Sequence, residues 1–356
     1  MSLDEEWEKF INSDTCKLEC LDNGKEKELF KPTFTDLYIS TQTKIGYLDQ
    51  HIDLYNLFWK IPIMNYSLPK EGIIKKIIKI NSINKEEVEK LEENISKEKN
   101  ISVDVISKVD NISGDNITFK DVRKITVGVS KKDLINFRKK KKSAFYNCFA
   151  TIVRIFYKGE FREINIKIFN TGKLEIPGIQ ETETLDIALK ILLRTLNKFV
   201  EKPIKYLKDK MDTVLINSNF ACNFYINRTK LYNLLKFKYN IHSLYDPCSY
   251  PGIQCKFFYN KENTTQTGVC QCKDKNCTLN KKNKKENKCY IISFMIFRTG
   301  SILIVGNCDE DILKNIYLFI LNILSENCQE IKSSEKFDII EKKKKKYRKR
   351  IVLFTK

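Results

Sequence analysis

The chain carries one phrase twice. Residues 168–178 read IFNTGKLEIPG and residues 296–306 read IFRTGSILIVG, with Ile, Phe, Thr, Gly, Ile and Gly matching in place and Leu174 facing Ile302. The offset, 296 − 168 = 128 residues, is too long for a solenoid period and suits two copies of a small half-domain. Each copy follows an apolar strand run and precedes an amphipathic helical run. Before the first copy, Ile164, Ile166 and Ile168 alternate with Glu163, Asn165 and Lys167, the period of a strand with one buried face. Asn170-Thr171-Gly172 and Arg298-Thr299-Gly300 read as hairpin turns, because Gly tolerates the positive φ of a tight turn.

The rest of the pattern is also duplicated. Strands are expected over 36–45, 149–157, 161–169 and 173–176, and again over 213–224, 253–259, 289–297 and 301–305. Short helices are expected over 52–61 and 228–236. A long helix opens at Thr182, with Leu185, Ala188, Leu189, Leu192 and Leu196 on one face. A second opens at Asp309, with Ile312, Ile316, Phe319, Ile320 and Ile323 on one face. The fold class expected is α+β: a pseudo-twofold, curved antiparallel sheet with both long helices on one face. The other face is left for solvent or a ligand. The expected organisation begins with an N-terminal extension (1–30), read as a loosely attached helix. A first repeat (31–200) with a charged insertion (65–142) comes next, then a second repeat (201–335) with a cysteine-bearing insertion (260–288), and a basic tail (336–356). The first insertion, rich in Ile, Lys, Asn and Glu, reads as lacking a dependable packed core, with Lys85 to Glu98 readable as a charged helix.

Charge narrows the partners. The 356 residues include 64 Lys+Arg against 45 Asp+Glu, a formal charge of +19, which draws a chain towards polyanions. Part of that excess follows from a general abundance of Lys, so the placement of charge matters more than its sum. The start MSLDEEWEKF is acidic and lacks an apolar leader, and no run of about eighteen apolar residues occurs; an intracellular protein without a membrane span is expected. The twelve cysteines are then expected to be thiols or metal ligands. Cys270, Cys272, Cys277 and Cys289 have the spacing C-x-C-x4-C-x11-C, which allows a structural zinc, and Cys248 or Cys255 are alternative ligands. The histidines His51 and His242 sit in no catalytic motif and no Gly-rich phosphate loop occurs, so an enzyme is not expected and no cofactor is required.

The two I-F-x-T-G phrases, together with Tyr245-Asp-Pro-Cys-Ser-Tyr-Pro-Gly252, resemble the TATA-box-binding protein family in the divergent form that large DNA viruses encode. The family repeats I-F-x-S-G-K and carries Y-E-P-E-L-F-P-G in its second half. The resemblance covers residues 36–59, 149–200 and 214–326. It implies a saddle-shaped sheet lying along the minor groove, with aromatic side chains wedged between base steps; this family is itself the reference example of such kinking. The positions matching the wedges are Phe149, Phe169, Tyr250 and Phe297. Arg154, Lys167, Lys173 and Arg298 are expected to meet phosphate, together with the block Arg138, Lys139, Lys140, Lys141 and Lys142. Implied partners are double-stranded, AT-rich DNA and an RNA polymerase or TFIIB-type factor, with the chain a monomer of internal pseudo-symmetry. The implied location is a host nucleus, a cytoplasmic virus factory or the virion. The alternative is a protein-interaction module of the same fold that leaves DNA straight.

Several positions depart from the family. Its minor-groove asparagines align with Asp36 and Val214, with Asn217 and Asn219 close by. Pro177 and Val305 replace a Thr, and Cys248-Ser249 stand where partner-binding acids are expected.

Overall fold

A computed structural model describes residues 30–113, 116–135, 145–271 and 289–333. The chain divides after Lys31 into two units. Of the first only Phe30 and Lys31 are described, so the expected N-terminal helix lies outside the described residues.

The second unit, from Pro32 onward, is α+β, with twelve strands in one antiparallel sheet and seven helices among the described residues. Its first half contains β1 (Tyr38–Tyr47), α1 (Leu54–Lys60), β2 (Gly72–Ser82), α2 (Lys85–Lys97), β3 (Ile101–Ser113), β4 (Asn116–Gly128), α3 (Lys131–Ile135), β5 (Cys148–Tyr157), β6 (Glu160–Phe169), β7 (Lys173–Ile179) and α4 (Thr182–Leu196). The second half contains β8 (Asp212–Ala221), α5 (Arg228–Asn233), β9 (His242–Leu244), β10 (Gly252–Asn260), β11 (Cys289–Phe297), β12 (Ser301–Gly306), α6 (Glu310–Glu326) and α7 (Cys328–Ile331). The strand order is β3-β4-β2-β5-β6-β7-β1-β8-β12-β11-β10-β9. Counted outward from the central β1·β8 pair, β7, β6, β5 and β2 answer β12, β11, β10 and β9. Strands β4 and β3 have no counterpart among the described residues.

The duplication reaches individual hydrogen bonds. In the first half Leu48 N–H donates to Gly172 O (2.8 Å) and Ile52 N–H to Asn170 O (2.9 Å). In the second, Cys222 N–H donates to Gly300 O and Ile226 N–H to Arg298 O, both at 2.9 Å. Asp53 and Asn227 then cap α1 and α5, accepting from Asn56 and Lys230 N–H. Gly172 and Gly300 lie at φ +79° and +78°, and a Cβ on either would collide with the carbonyl oxygen of Gln50 or Phe224. The Thr-Gly turns thus clamp the segment leaving each central strand.

Alternation decides which strand residues are buried. Ile164, Ile166 and Ile168 of β6 pack with Leu174 and Ile176 of β7 under Leu185, Ala188, Leu189, Leu192 and Leu196 of α4. In the second half Phe220, Phe257, Phe294, Ile296 and Ile302 are buried. Helix α6 lies against them, with Phe319 5.0 Å from Phe257 and Tyr317 4.8 Å from Phe220 between ring centroids. Asp309 caps α6 by accepting from Ile312 N–H at 2.9 Å. Helix α4 opens at Thr182 as expected; Glu181 holds the N-cap position without a side-chain cap, and the Thr184 hydroxyl donates to its carbonyl.

The first insertion differs most from expectation. Residues 72–128 supply three sheet strands and a helix, and Ile73, Ile78, Leu91, Ile125 and Val127 join the same core as Phe58 and Phe149. Burial is possible because the lysines in Gly-Ile-Ile-Lys-Lys-Ile-Ile have partners. Lys75 pairs with Asp133 at 2.7 Å, and Lys76 with Glu98 at 2.6 Å.

Candidate nucleic-acid interface

The strand residues between the buried ones form the other face. Among the described residues it is overlain at one edge of the first half, where α3 meets Lys75 and Glu163 and the 66–70 loop meets Arg154. The remaining residues make up the uncovered face. In the second half these are Ser293, Met295 and Phe297 of β11, Leu303 and Val305 of β12, and Asn217 and Asn219 of β8, all partly exposed. Near the outer end Phe297 meets Tyr250, with ring centroids 5.8 Å apart and planes at 56°. Gly252 faces Phe297 across the ladder, and a Cβ there would lie 3.0 Å from the Phe297 ring and 3.1 Å from the Tyr250 ring. Glycine therefore makes the space in which the two aromatics meet.

The turn before Tyr250 is held by Asp246. Its carboxylate accepts from Cys248 N–H at 3.0 Å and from the Ser249 hydroxyl, and its carbonyl accepts from Tyr250 N–H at 2.9 Å. The Ser249 hydrogen bond, more than any other cause, lowers the Asp246 pKa below the ordinary aspartate value. Arg228 donates to Pro251 O and lies 5.3 Å over the Tyr245 ring.

In the first half Phe169 lies on the uncovered face beside buried Ile168, as the alternation predicts. Phe149 does not. It is 0% exposed, pairs with Ile168 and Ile78, and meets the Phe58 ring edge-on at 6.1 Å. Phe149 is a core residue. The residue facing Phe169 is Cys148, which occupies the place of Gly252. Counting back two residues from each puts Tyr146, not Phe149, in the place of Tyr250. Tyr146 is 49% exposed with the Lys79 ammonium 3.6 Å above its ring, and Phe145 beside it is 62% exposed with Lys167 at 4.6 Å. The common signal is Tyr-Asn-Cys-Phe149 against Tyr-Pro-Gly-Ile253, legible once the hairpin partners are aligned.

The basic candidates divide. Arg154 is buried; its guanidinium donates to the carbonyls of Lys70 (3.0 Å), Tyr66 (2.8 Å) and Leu68. It holds the 66–70 loop and is not a phosphate contact. Lys167 lies on the uncovered face, ion-paired with Glu175 at 2.6 Å. Burial pushes the nearby Cys148 thiol up from its ordinary pKa, and the Lys167 charge opposes this. Lys173 lies 5.7 Å from the Phe169 ring centroid, and Arg298 adjoins Phe297 in the matching turn. Arg138 to Lys142, and the basic tail 336–356, lie outside the described residues.

At the sheet centre, Asn217 donates through Nδ2 to Thr41 Oγ1 at 3.1 Å, while Asn219 faces Tyr38 and Leu303. These two asparagines, rather than Asp36 or Val214, bring amide groups to the uncovered face. Asp36 lies ahead of β1. Pro177 pairs with Thr43 and Val305 with Asn217, so the amides sit among threonines, a proline and a valine.

Of the four candidate zinc ligands, Cys270 and Cys289 approach to 3.9 Å between sulfurs; Cys272 and Cys277 lie outside the described residues. Among the described residues no group of three or more His, Cys, Asp or Glu converges, and no helix is long and apolar enough to cross a membrane.

Twelve strands thus form one antiparallel sheet with a buried, helix-packed face, and among the described residues Phe169, Tyr250 and Phe297 are partly exposed on the opposite side. The chain is similar to a TATA-box-binding protein-like protein of Acanthamoeba polyphaga mimivirus, at 29% identity over 208 residues. The match covers 54% of this chain and 52% of that protein, so the chain spans about half the length of this curated relative. No protein-family model matches. The resemblance to a divergent viral TATA-box-binding-protein-like protein, read first from the repeated phrases, is thereby borne out.

Proposed function

We propose that the chain is a DNA-binding transcription-initiation factor whose sheet is a saddle with α4 and α6 on its convex side. In this reading its uncovered face lies in the minor groove of promoter DNA. Tyr250 with Phe297, and Tyr146 with Phe169, wedge between base steps and kink the duplex. The observation that carries this reading is the matched placement of aromatic side chains at both ends of a face whose centre carries the amides of Asn217 and Asn219. Such a face suits the shallow donor–acceptor pattern of an AT-rich minor groove. The bent promoter would present a platform to a polymerase or a TFIIB-type factor.

The test is end-to-end energy transfer on a duplex of about 30 base pairs with an AT-rich centre, where a bend of roughly 40–90° is readily seen. Wild-type protein is expected to bend it. Tyr146→Ala/Phe169→Ala is expected to bind with the bend largely lost, and a GC-centred duplex to bend less. Binding without bending, unchanged by the double substitution, sinks the wedge and supports a protein-interaction module. That second reading is favoured by one observation: Lys167, on the uncovered face, is already neutralised by Glu175.

A structural zinc in the second insertion is part of the proposal. Two thiolates on one tetrahedral zinc stand about 3.8 Å apart for Zn–S bonds of about 2.3 Å, and Cys270 and Cys289 stand at 3.9 Å. Purified protein is expected to carry about one zinc per chain, lost in Cys270→Ser/Cys289→Ser. Metal analysis finding none in the wild type would leave two packed thiols.

A further inference from the structure

The uncovered face is not symmetric about the sheet centre. In the second half its row runs Leu303–Met295–Gln254–Leu244 and stops at β9, the last strand among the described residues. In the first half the corresponding row runs Glu175–Lys167–Ala150–Ile77 and continues through Thr126 and Ser102 on β4 and β3. The β3–β4 hairpin therefore extends the face by two strands. At strand spacings near 4.8 Å this adds roughly 10 Å, about three base-pair rises of duplex. The extension is built into the fold, because Leu91 of α2 and Ile125 and Val127 of β4 share the core with Phe58 and Phe149.

The charges on this extension point to its occupant. Lys79 of β2 and Lys124 of β4 face each other directly in adjacent strands. Like charges so placed repel and destabilise the pair. Asp104 of β3 lies 3.7 Å from Lys124, on the side away from β2, and the Lys79 ammonium lies over the Tyr146 ring. An anionic oxygen set between the two ammonium groups would turn this repulsion into a two-point contact. The pair lies immediately outside the aromatic position at Tyr146, where a backbone phosphate just beyond the kink would pass.

We infer that the β3–β4 hairpin lengthens the nucleic-acid face on one side only, and that Lys79 and Lys124 grip the duplex backbone on that flank of the bend. This rests on the duplex-binding reading above. A chain of two similar halves thereby acquires a direction on DNA that its repeats alone do not supply. Asp104 limits the grip by competing for Lys124.

Hydroxyl-radical footprinting of the full chain on the AT-centred duplex tests the inference. The wild type is expected to protect about three more base pairs than Lys79→Ala/Lys124→Ala, all on one flank, with the central protection intact in both. The log–log salt dependence of affinity is expected to fall by about two in the double variant, one for each phosphate no longer neutralised. Asp104→Asn is expected to tighten binding, an effect that a merely structural role for the hairpin would not produce. A wild-type footprint symmetric about its centre, or one unchanged in the double variant, overturns the inference while leaving the duplex-binding reading in place. Absence of all protection, central and flanking, in the wild type overturns both.

Discussion

Phe149→Ala is expected to lower the free energy of unfolding by about 3–5 kcal/mol, the range for emptying a buried aromatic site. Phe169→Ala, on the facing strand of the same hairpin, is expected to change it by less than about 1 kcal/mol. The contrast follows from side-chain direction. Phe149 is fully enclosed between Phe58, Ile78 and Ile168, where removing the ring leaves a void that fixed strands cannot close. Phe169 is partly exposed on the uncovered face and has little packing to lose. Urea unfolding followed by far-ultraviolet circular dichroism measures both. Equal costs for the two substitutions would mean that the two rings are not on opposite faces of the sheet, and the assignment of wedges would fall with them. DNA bending should respond in the opposite order, with Phe169→Ala impairing it in fully folded protein.

The same pair shows what is legible in the sequence. Strand β6 alternates cleanly, Ile164-Asn-Ile-Lys-Ile168-Phe, because one of its faces packs under a helix and the other does not. Its period alone puts Phe169 outside. Strand β5 reads Cys-Phe-Ala-Thr-Ile-Val-Arg-Ile and is apolar at nearly every position, so its period says nothing about which face Phe149 takes. Matching β5 to the family by its phenylalanine misplaces the wedge by three residues, and only the ladder partner, Cys148 opposite Phe169, restores the count. Tyr146 is hidden in the sequence because it precedes the strand across Asn147, whose φ of +56° breaks the alternation. The first insertion misleads for another reason. Lysines in a strand read as solvated, yet Lys76 is buried through partners distant in sequence, Ile61 and Glu98, and a local pattern carries no record of such pairs. Both long helices and both Thr-Gly turns are legible, since period, caps and φ requirements are local properties.

Glu98→Gln is expected to destabilise the protein by about 3 kcal/mol, whereas Lys76→Met, which removes the other partner, should cost only about 1–2 kcal/mol. The Lys76 side chain is 1% exposed; its ammonium donates to Glu98 at 2.6 Å and to Ile61 O at 2.9 Å, and lies 4.9 Å over the Phe58 ring. Glu98 is 23% exposed and reaches water. Neutralising Glu98 strands a cation in the core. Removing the lysine charge strands nothing, because the carboxylate can turn to solvent and methionine fills the channel. The difference should depend on pH. Burial pushes the Lys76 pKa below the ordinary lysine value, and Glu98 pulls it partly back. A lysine whose pKa is lower folded than unfolded binds fewer protons in the folded state, so stability rises with pH through that interval. Losing Glu98 widens the interval. The deficit of Glu98→Gln should therefore shrink as pH rises towards the unfolded lysine value near 10.4, while that of Lys76→Met stays flat. Because this pair ties α1, β2 and α2 together, it also fixes the base from which Lys79 and Lys124 are presented. A Lys76→Met cost equal to or above that of Glu98→Gln, or a Glu98→Gln deficit that persists at high pH, would show that Lys76 is not held as a buried cation. The insertion would then need another anchor to the sheet it extends.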